Sequence, residues 1–413
     1  MRNVTLLFLS VIMLVSCSGE DDIKKETLSN VGTNNFNVTR NDVEKVVSGY
    51  LNESDTRSFD KSGSIVGVDS ICIHTRSTRG ENEIDNPSNL LFFVRLSDGS
   101  TVVVAGDKRA EPIYAHIDSV DLKFRDGQLI GQNQLPDGFL FMLGVMASSV
   151  YNKIATESSC NPHWACSQTR SSKSSDEFVA SKCKVAWGQG DPFNLQSPSS
   201  TGKHAYNGRA AAGCVPIALA QALTVFKSDF GVFKGYTLKT SWRQLKSRKH
   251  WVWFYNQDER TDISNVIKRI AENIGTSYHK DGTAGTDTKD AVKFLGSYLG
   301  GQFSFDTKWD NTKSNMKNNA YGLSIFSGYP KSKGWLWKRL GIDMPSTTGH
   351  CMLLDGYKTS NGTTLYYINF GWDGRCNGYY LYDDKTWSDD ADKEYEMMMK
   401  VYNFHIDTDY DDF

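Results

Sequence analysis

The chain has 413 residues, enough for two or three domains that each bury a sizeable core. Its 46 Lys and Arg residues nearly balance its 48 Asp and Glu residues, which leaves a formal charge of −2 and no basic stripe suited to a phosphate backbone. Hydrophobic residues make up 39% and aromatic residues 12% of the chain, as in ordinary globular proteins. This composition argues against a nucleic-acid-binding, fibrous or wholly disordered protein.

The N-terminus has the pattern of an export signal. A basic start precedes the apolar run from Val4 to Val15, which is too short to span a bilayer. The Leu-Val-Ser-Cys tetrapeptide that ends at Cys17 resembles the bacterial lipobox, in which the Cys becomes the lipidated first residue. We therefore predict a signal peptide over 1–16 and a polar, lipidated tether over 17–36. The alternative is an ordinary signal peptide near a Cys, and both predict export.

The first folded block is predicted to be an α+β domain over 37–155. Its helices show apolar residues at helical spacing, and two of its strand-like runs are joined by a Ser-Asp-Gly turn typical of a hairpin. The predicted elements are a helix Asn41–Asn52, strands Ser64–Thr75, Asn89–Leu96 and Ser100–Ala105, and a helix Phe139–Ala155.

A linker is predicted over 156–182, where the composition shifts to Ser, Thr, Lys, Asn and Cys. Such a stretch offers no regular structure to hinder a protease. Arg170 and Lys173 are the candidate sites for an activating cut by a trypsin-like or self-processing event.

The second block, 183–413, is predicted to place helices first and an antiparallel sheet last, again an α+β arrangement. The predicted helices are Cys214 to about Ser228, Thr261–Ile274 and Thr286–Leu299. The predicted strands are Gly322–Phe326, His350–Tyr357, Leu365–Phe370 and Tyr379–Tyr382.

Cys214 is the candidate nucleophile. Pro216 is tolerated only in the first turn of a helix, which fixes the helix start near Cys214. A thiol in that position is exposed to the positive end of the helix dipole, which favours the reactive thiolate. On this segment alone, a buried structural Cys fits equally well.

His350 is the candidate base because it opens an apolar strand that orders one edge of the ring and leaves the other free. Asn369, in the strand that returns after Asn361 and Gly362, is the candidate for orienting the imidazole. A two-residue turn places Asn369 opposite Leu354, so direct pairing with His350 requires a wider loop or a bulge. Asp355 and Cys351 lie on the other face of the strand and are predicted to be structural.

The remaining cysteines predict no metal site. Cys160, His163, Cys166 and Cys183 have a spacing that could ligate zinc, but in an exported protein a disulfide or free thiols fit better. No cofactor is predicted.

Four strings give the chain a resemblance to the streptopain-like cysteine peptidases, secreted bacterial enzymes with a papain-like fold. They are VAWGQGDPFN at 185–194, AAAGCVPIALAQAL at 210–223, GHCMLLDGY at 349–357 and YYINFGWDGRCNGYY at 366–380. The resemblance implies that Cys214 is the nucleophile, His350 the base, and Gln189 part of the oxyanion hole. It extends into the first block, which resembles the propeptide domain of that family.

Two departures from the family pattern bear on the substrate pocket. Phe370 stands where family members often carry Trp, although Trp372 follows and is taken as a supporting residue with Asn369. The segment 329–348, with Trp335 and Trp337, looks like an insertion.

The leading hypothesis is a membrane-tethered cysteine endopeptidase zymogen that acts on proteins or peptides and is inhibited by its own propeptide. The alternatives are another Cys-His acyl-transfer enzyme, such as an amidase or acyltransferase, and a non-catalytic surface binding protein with the same fold.

Overall fold

A computed structural model describes residues 36–55, 63–73, 88–164, 176–226, 230–247, 255–299, 303–330, 335–342, 349–360, 362–383, 387 and 397–406. The predicted signal peptide and most of the tether, with Cys17, lie outside these residues. Arg170, Lys173 and Cys166 do so as well.

The first block has the predicted elements and three further strands. Thr39 and Asp42 cap its first helix reciprocally, each side chain accepting from the other's backbone N–H. The predicted hairpin is present, and Asp98 holds its turn by accepting from the Ser100 N–H at 2.8 Å. The elements are α1 Arg40–Asp55, β1 Ile65–Ile73, β2 Ser88–Leu96, β3 Thr101–Ala105, β4 Ile113–Ile117, β5 Lys123–Arg125, β6 Gln128–Ile130 and α2 Asp137–Thr156.

The second block places most of its helices before its long strands, as predicted. Its helices are α3 Cys214–Val225, α4 Trp242–Ser247, α5 Gln257–Asn273, α6 Thr288–Leu299, α7 Trp309–Asn318 and α8 Trp335–Arg339. Its strands are β7 Glu177–Val179, β8 Val232–Phe233, β9 Tyr236–Thr237, β10 Ser277–Tyr278, β11 Ala284–Gly285, β12 Phe303–Asp306, β13 Leu323–Pro330, β14 His350–Ser360, β15 Thr363–Asn369, β16 Gly378–Leu381 and β17 Met397–Ile406.

One antiparallel sheet runs through both blocks, in the order β1-β2-β3-β4-β16-β15-β14-β13-β17-β12, with β7 also paired to β14. The two blocks join where β4 pairs with β16, Ile117 facing Gly378. The fold is therefore α+β, as the sequence predicts, but its main sheet is shared between the blocks.

Helix α2 lies at the centre of the largest core. It packs against first-block strands and against β13 and β14 of the second block, and 15 of its 20 residues are buried. By length and composition it could cross a membrane, but 83% of its apolar 18-residue stretch is buried inside the protein, as expected for a core helix. A second core lies on the other face of β14, between the sheet and α3, α5 and α6.

Candidate active site

Cys214 is the first residue of α3, as the position of Pro216 predicts. Gly213 forms the N-cap without a side-chain hydrogen bond, so the helix start leaves backbone N–H groups facing the thiol. The N–H groups of Val215 and Cys351 both donate toward the sulfur. These donors and the helix dipole stabilise negative charge on the sulfur.

The side chain of His350 reaches the Cys214 thiol and changes the acidity of both groups. Burial favours the neutral thiol, but hydrogen bonding and charge interaction with His350 outweigh it, and the pKa of Cys214 lies below its ordinary value. Burial likewise opposes a charged imidazole, yet the interactions with Cys214 raise the pKa of His350. These two shifts favour a thiolate–imidazolium pair.

The imidazole is oriented by a backbone carbonyl. Nε2 of His350 donates to the carbonyl of Phe370 at 3.0 Å, which leaves Nδ1 for the thiol. The ring of Trp372 lies 5.9 Å from the imidazole, centroid to centroid, and so packs beside the pair.

The prediction that Asn369 pairs with His350 is wrong. Ser360 faces Thr363 across the predicted turn, and a bulge between Leu354 and Gly356 moves Asn369 opposite Leu353, a shift of one residue only. Asn369 Oδ1 instead accepts from Gln221 at 3.1 Å and from the Gly371 N–H at 3.0 Å. Asn369 thus fixes the backbone next to Phe370 and acts on His350 indirectly.

Gln189 is buried beside the start of α3. Its Oε1 accepts from the Gly213 N–H at 2.9 Å, and its Nε2 donates to the Gly371 carbonyl at 3.1 Å. A second amide hydrogen remains on Nε2, and the Oε1 contact holds this amide against Gly213, the residue that precedes Cys214. Two such donors are what a tetrahedral oxyanion requires.

The other candidate thiols and carboxylates are structural. Cys351 packs in the core beneath α3, and Asp355 accepts from the Cys183 N–H and from Ser181. Cys183 is buried in that same core, whereas Cys160 is exposed, so the two do not share a site. Within the described ranges, no cluster of His, Cys, Asp and Glu could hold a metal ion.

The first turn of α2 contacts the histidine, a contact that the sequence reasoning missed. A Cβ added to Gly138 would lie 2.3 Å from Cδ2 of His350, so only glycine allows this approach. Just upstream, the carbonyl of Gln134 accepts from Arg375 at 3.1 Å. The sequence feature that could have indicated this contact is a glycine in the first turn of a strongly apolar helix.

The segment 329–348 also contacts α2. The ring of Trp337 lies over Gly144, where an added Cβ would come within 1.4 Å of two ring carbons. Trp337 is buried in the shared core. In the described part of this segment, the apparent insertion therefore packs against the first block.

Residues 187–380 match the model of the Peptidase C10 family, and no curated protein matches the chain. Among solved structures, a prointerpain A fragment from Prevotella intermedia is 16% identical, with a TM-score of 0.50, and covers 80% of this chain and 98% of that one. The active interpain A cysteine protease of the same organism is 19% identical, with a TM-score of 0.38, and covers 54% and 94%. The chain thus shares its fold with the prointerpain A fragment, and its residues 187–380 match the Peptidase C10 family of cysteine peptidases.

Proposed function

We propose that the protein is a cysteine endopeptidase in which Cys214 and His350 perform the chemistry. The thiolate attacks the peptide carbonyl carbon, and the imidazolium gives its proton to the leaving amine. Water then hydrolyses the thioester, with His350 as the base, and the carboxyl product leaves. The carrying observation is the pairing of a helix-start thiol with an oriented imidazole.

We assign two hydrogen-bond donors to the oxyanion that forms during the attack, the Cys214 N–H and Nε2 of Gln189. Gln189 is held by hydrogen bonds to Gly213 and Gly371 on the two sides of the site, so its donor is positioned before substrate binds. Such preorganisation is worth about 10²–10³ in rate per donor.

Endopeptidase action is supported by the segment that covers His350. Residues 134–138 are internal, since the chain continues into α2 on one side and into β6 on the other. A site that accommodates an internal segment does not require a free chain end. No observation favours an amidase, an acyltransferase or a non-catalytic binding protein.

We attribute the inactivity of the uncleaved chain to the contacts that α2 makes with the second block. The Gly138 backbone lies against His350 and the Gly144 backbone against Trp337, so a substrate cannot reach the imidazole while α2 is in place. Cleavage within 156–182, with Arg170 and Lys173 as candidates, would disconnect 37–155 from 183–413. Because the blocks share a sheet and a core, activation also requires their separation.

Export and lipid attachment at Cys17 remain part of the proposal, on the sequence pattern alone. Once the linker is cut, the peptidase block would no longer be anchored at the cell envelope. Growth with an alkyne-labelled fatty acid should label the wild-type chain and not Cys17→Ser, whereas equal labelling would exclude lipidation at this residue.

The direct test of the activity is covalent labelling. An epoxysuccinyl probe should modify Cys214 in the processed protein, as shown by mass spectrometry of the tagged peptide. Cys214→Ala should lose both the label and peptide hydrolysis, and hydrolysis that survives in this variant would refute the assignment.

A further inference from the structure

The turn between β15 and β16 places a cation beside the candidate active site. It runs from Phe370 to Asn377, and the Arg375 N–H donates to the Trp372 carbonyl at 3.0 Å. The side chain of Arg375 is half exposed, and its nearest described carboxylate oxygen, on Asp373, lies 3.7 Å away. Asp373 therefore offsets part of the charge but makes no short hydrogen bond that would occupy the guanidinium.

In the uncleaved chain, a segment of the propeptide already binds this cation. Arg375 Nη1 donates to the Gln134 carbonyl, and four residues later Gly138 packs on His350, so the segment between them spans the distance from Arg375 to the imidazole. Within that segment, the Asp137 carboxylate interacts electrostatically with His350 and with the Tyr206 hydroxyl.

Aromatic rings connect the imidazole to the neighbourhood of Arg375. The Trp372 ring lies 5.9 Å from that of His350 and 6.3 Å from that of Tyr206, and Tyr206 also interacts with the charge of Arg375. The three rings are thus linked by contacts, and the backbone of Arg375 is hydrogen-bonded to Trp372 in the same turn; we call this group of four residues, His350, Trp372, Tyr206 and Arg375, the Arg375 wall. Segment 134–138 contacts this wall in the uncleaved chain.

The chemistry of the proposed reaction decides which part of a substrate meets the wall. The imidazolium must protonate the leaving amine, so the residues that follow the scissile bond lie on the histidine side of the thiol. Once segment 134–138 is gone, that part of the substrate faces Trp372 and Arg375.

We propose that Arg375 is a specificity-determining residue that binds an acidic side chain among the first residues after the scissile bond. This inference rests on the proposed peptidase function. The guanidinium forms paired hydrogen bonds with carboxylates, which an amide or an ammonium group cannot reproduce. The Asp137 carboxylate shows that a negative charge next to this wall is compatible with the fold.

The test uses the full chain after processing and three series of quenched-fluorescence peptides. In each series one of the first three positions after the scissile bond carries Glu, Gln or Lys, and the rest of the peptide is constant. At the responsive position, we expect wild-type enzyme to cleave the Glu peptide with about a fivefold higher kcat/KM than the Gln peptide, mainly through KM. Salt should reduce this preference.

Variants of Arg375 test whether its guanidinium causes the preference for the Glu peptide. Arg375→Gln should bring the Glu-to-Gln ratio close to one, Arg375→Lys should keep part of it, and Arg375→Glu should favour the Lys peptide. Lys308 is an exposed cation whose described hydrogen bonds are made by its backbone, so Lys308→Gln is the matched control and should cleave like wild type.

The outcomes separate this inference from the function on which it rests. An unchanged Glu-to-Gln ratio in Arg375→Gln, or an equal loss on all peptides, would overturn the acidic preference while leaving the peptidase intact. Absence of any hydrolysis by processed wild-type enzyme would overturn the peptidase function, and the inference with it.

Discussion

At the residue scale, the two ionisable groups of the site are shifted in opposite directions. The pKa of Cys214 is lowered and that of His350 is raised, each mainly through the other, against the effect of burial. The pair is charged at pH values above the first pKa and below the second. Asp137 contributes to the raised pKa of His350, so removal of the propeptide should lower that pKa somewhat.

The first prediction is a bell-shaped dependence of kcat/KM on pH. Activity should rise as pH passes the pKa of Cys214 and the thiolate forms, and should fall as pH passes the pKa of His350 and the imidazolium loses its proton. Initial rates of the processed enzyme over a series of buffers measure both limbs. A profile that only rises, near the ordinary thiol pKa of about 8.5, would contradict the ion pair.

The second prediction separates two neighbouring thiols. Cys214→Ala should reduce kcat by about 10⁴ or more with little change in thermal stability, because it removes a single sulfur from a residue that is only partly buried. Cys351→Ala should cost about 1 kcal/mol in free energy of unfolding and keep most activity. Rates of peptide hydrolysis and thermal unfolding check both, and a comparable loss of kcat in the two variants would contradict the assignment of the nucleophile.

The third prediction concerns Asn369. Replacement by Ala leaves the Gln221 amide and the Gly371 N–H without their acceptor, which should cost about 3 kcal/mol in free energy of unfolding. The Phe370 carbonyl next to it should shift, lowering kcat about tenfold. Urea unfolding and kinetics measure the two effects. A loss of activity as large as that of His350→Ala would mean that Asn369 acts directly on the imidazole.

At the element scale, α2 is both a core helix and the element that covers His350. Its glycines allow the backbone to approach two rings of the second block, His350 and Trp337. These contacts distinguish it from α1, which packs on the outer face of β2 and β3.

The fourth prediction tests the contact between α2 and the segment 329–348. Gly144→Ala should force the Trp337 ring away, weaken the inhibitory packing by about 1–3 kcal/mol, and speed processing about tenfold. Gly144→Ala combined with Trp337→Phe replaces the indole by a smaller ring that leaves room for the added methyl group, and should process more slowly than Gly144→Ala alone. Gel analysis over time measures both, and equal rates would show that the clash is not what loosens α2.

Sequence patterns identified most elements but not how the blocks join. Helices α2 and α3 have long apolar runs, and the β2–β3 hairpin has a turn signal, so periodicity finds them. Strand β4 has only five residues, and helix α7 carries mostly polar residues between Trp309 and Asn318, so neither gives a strong period. The position of Asn369 depends on a one-residue bulge in β14, which no local pattern specifies.

At the scale of the whole molecule, the boundary between the two blocks is the main difference from the sequence-based expectation. The sequence predicts two separate α+β blocks, 37–155 and 183–413, joined by a linker. Instead β4 pairs with β16, and one core contains side chains of both blocks. Pairing between distant strands is set by tertiary packing, and the two strands alone do not indicate it.

The β4–β16 pairing and the shared core predict that cutting the linker and releasing the first block are separate steps. A cut chain should remain associated until the β4–β16 edge opens and the apolar face under α2 is exposed. Size-exclusion chromatography immediately after cleavage should show both fragments in one peak, followed by separation as activity appears. Instant separation would show that the shared core contributes little.

The most direct test of the zymogen account follows Cys214 itself. The chain expressed from Ser18 is treated with trypsin at low dose, and at each time point an epoxysuccinyl probe is added and the labelled peptide is mapped. The account predicts label on Cys214 only after a cut within 156–182 and release of residues 37–155, in step with peptide hydrolysis. Equal labelling of Cys214 in the uncut chain, together with full hydrolysis there, would contradict it.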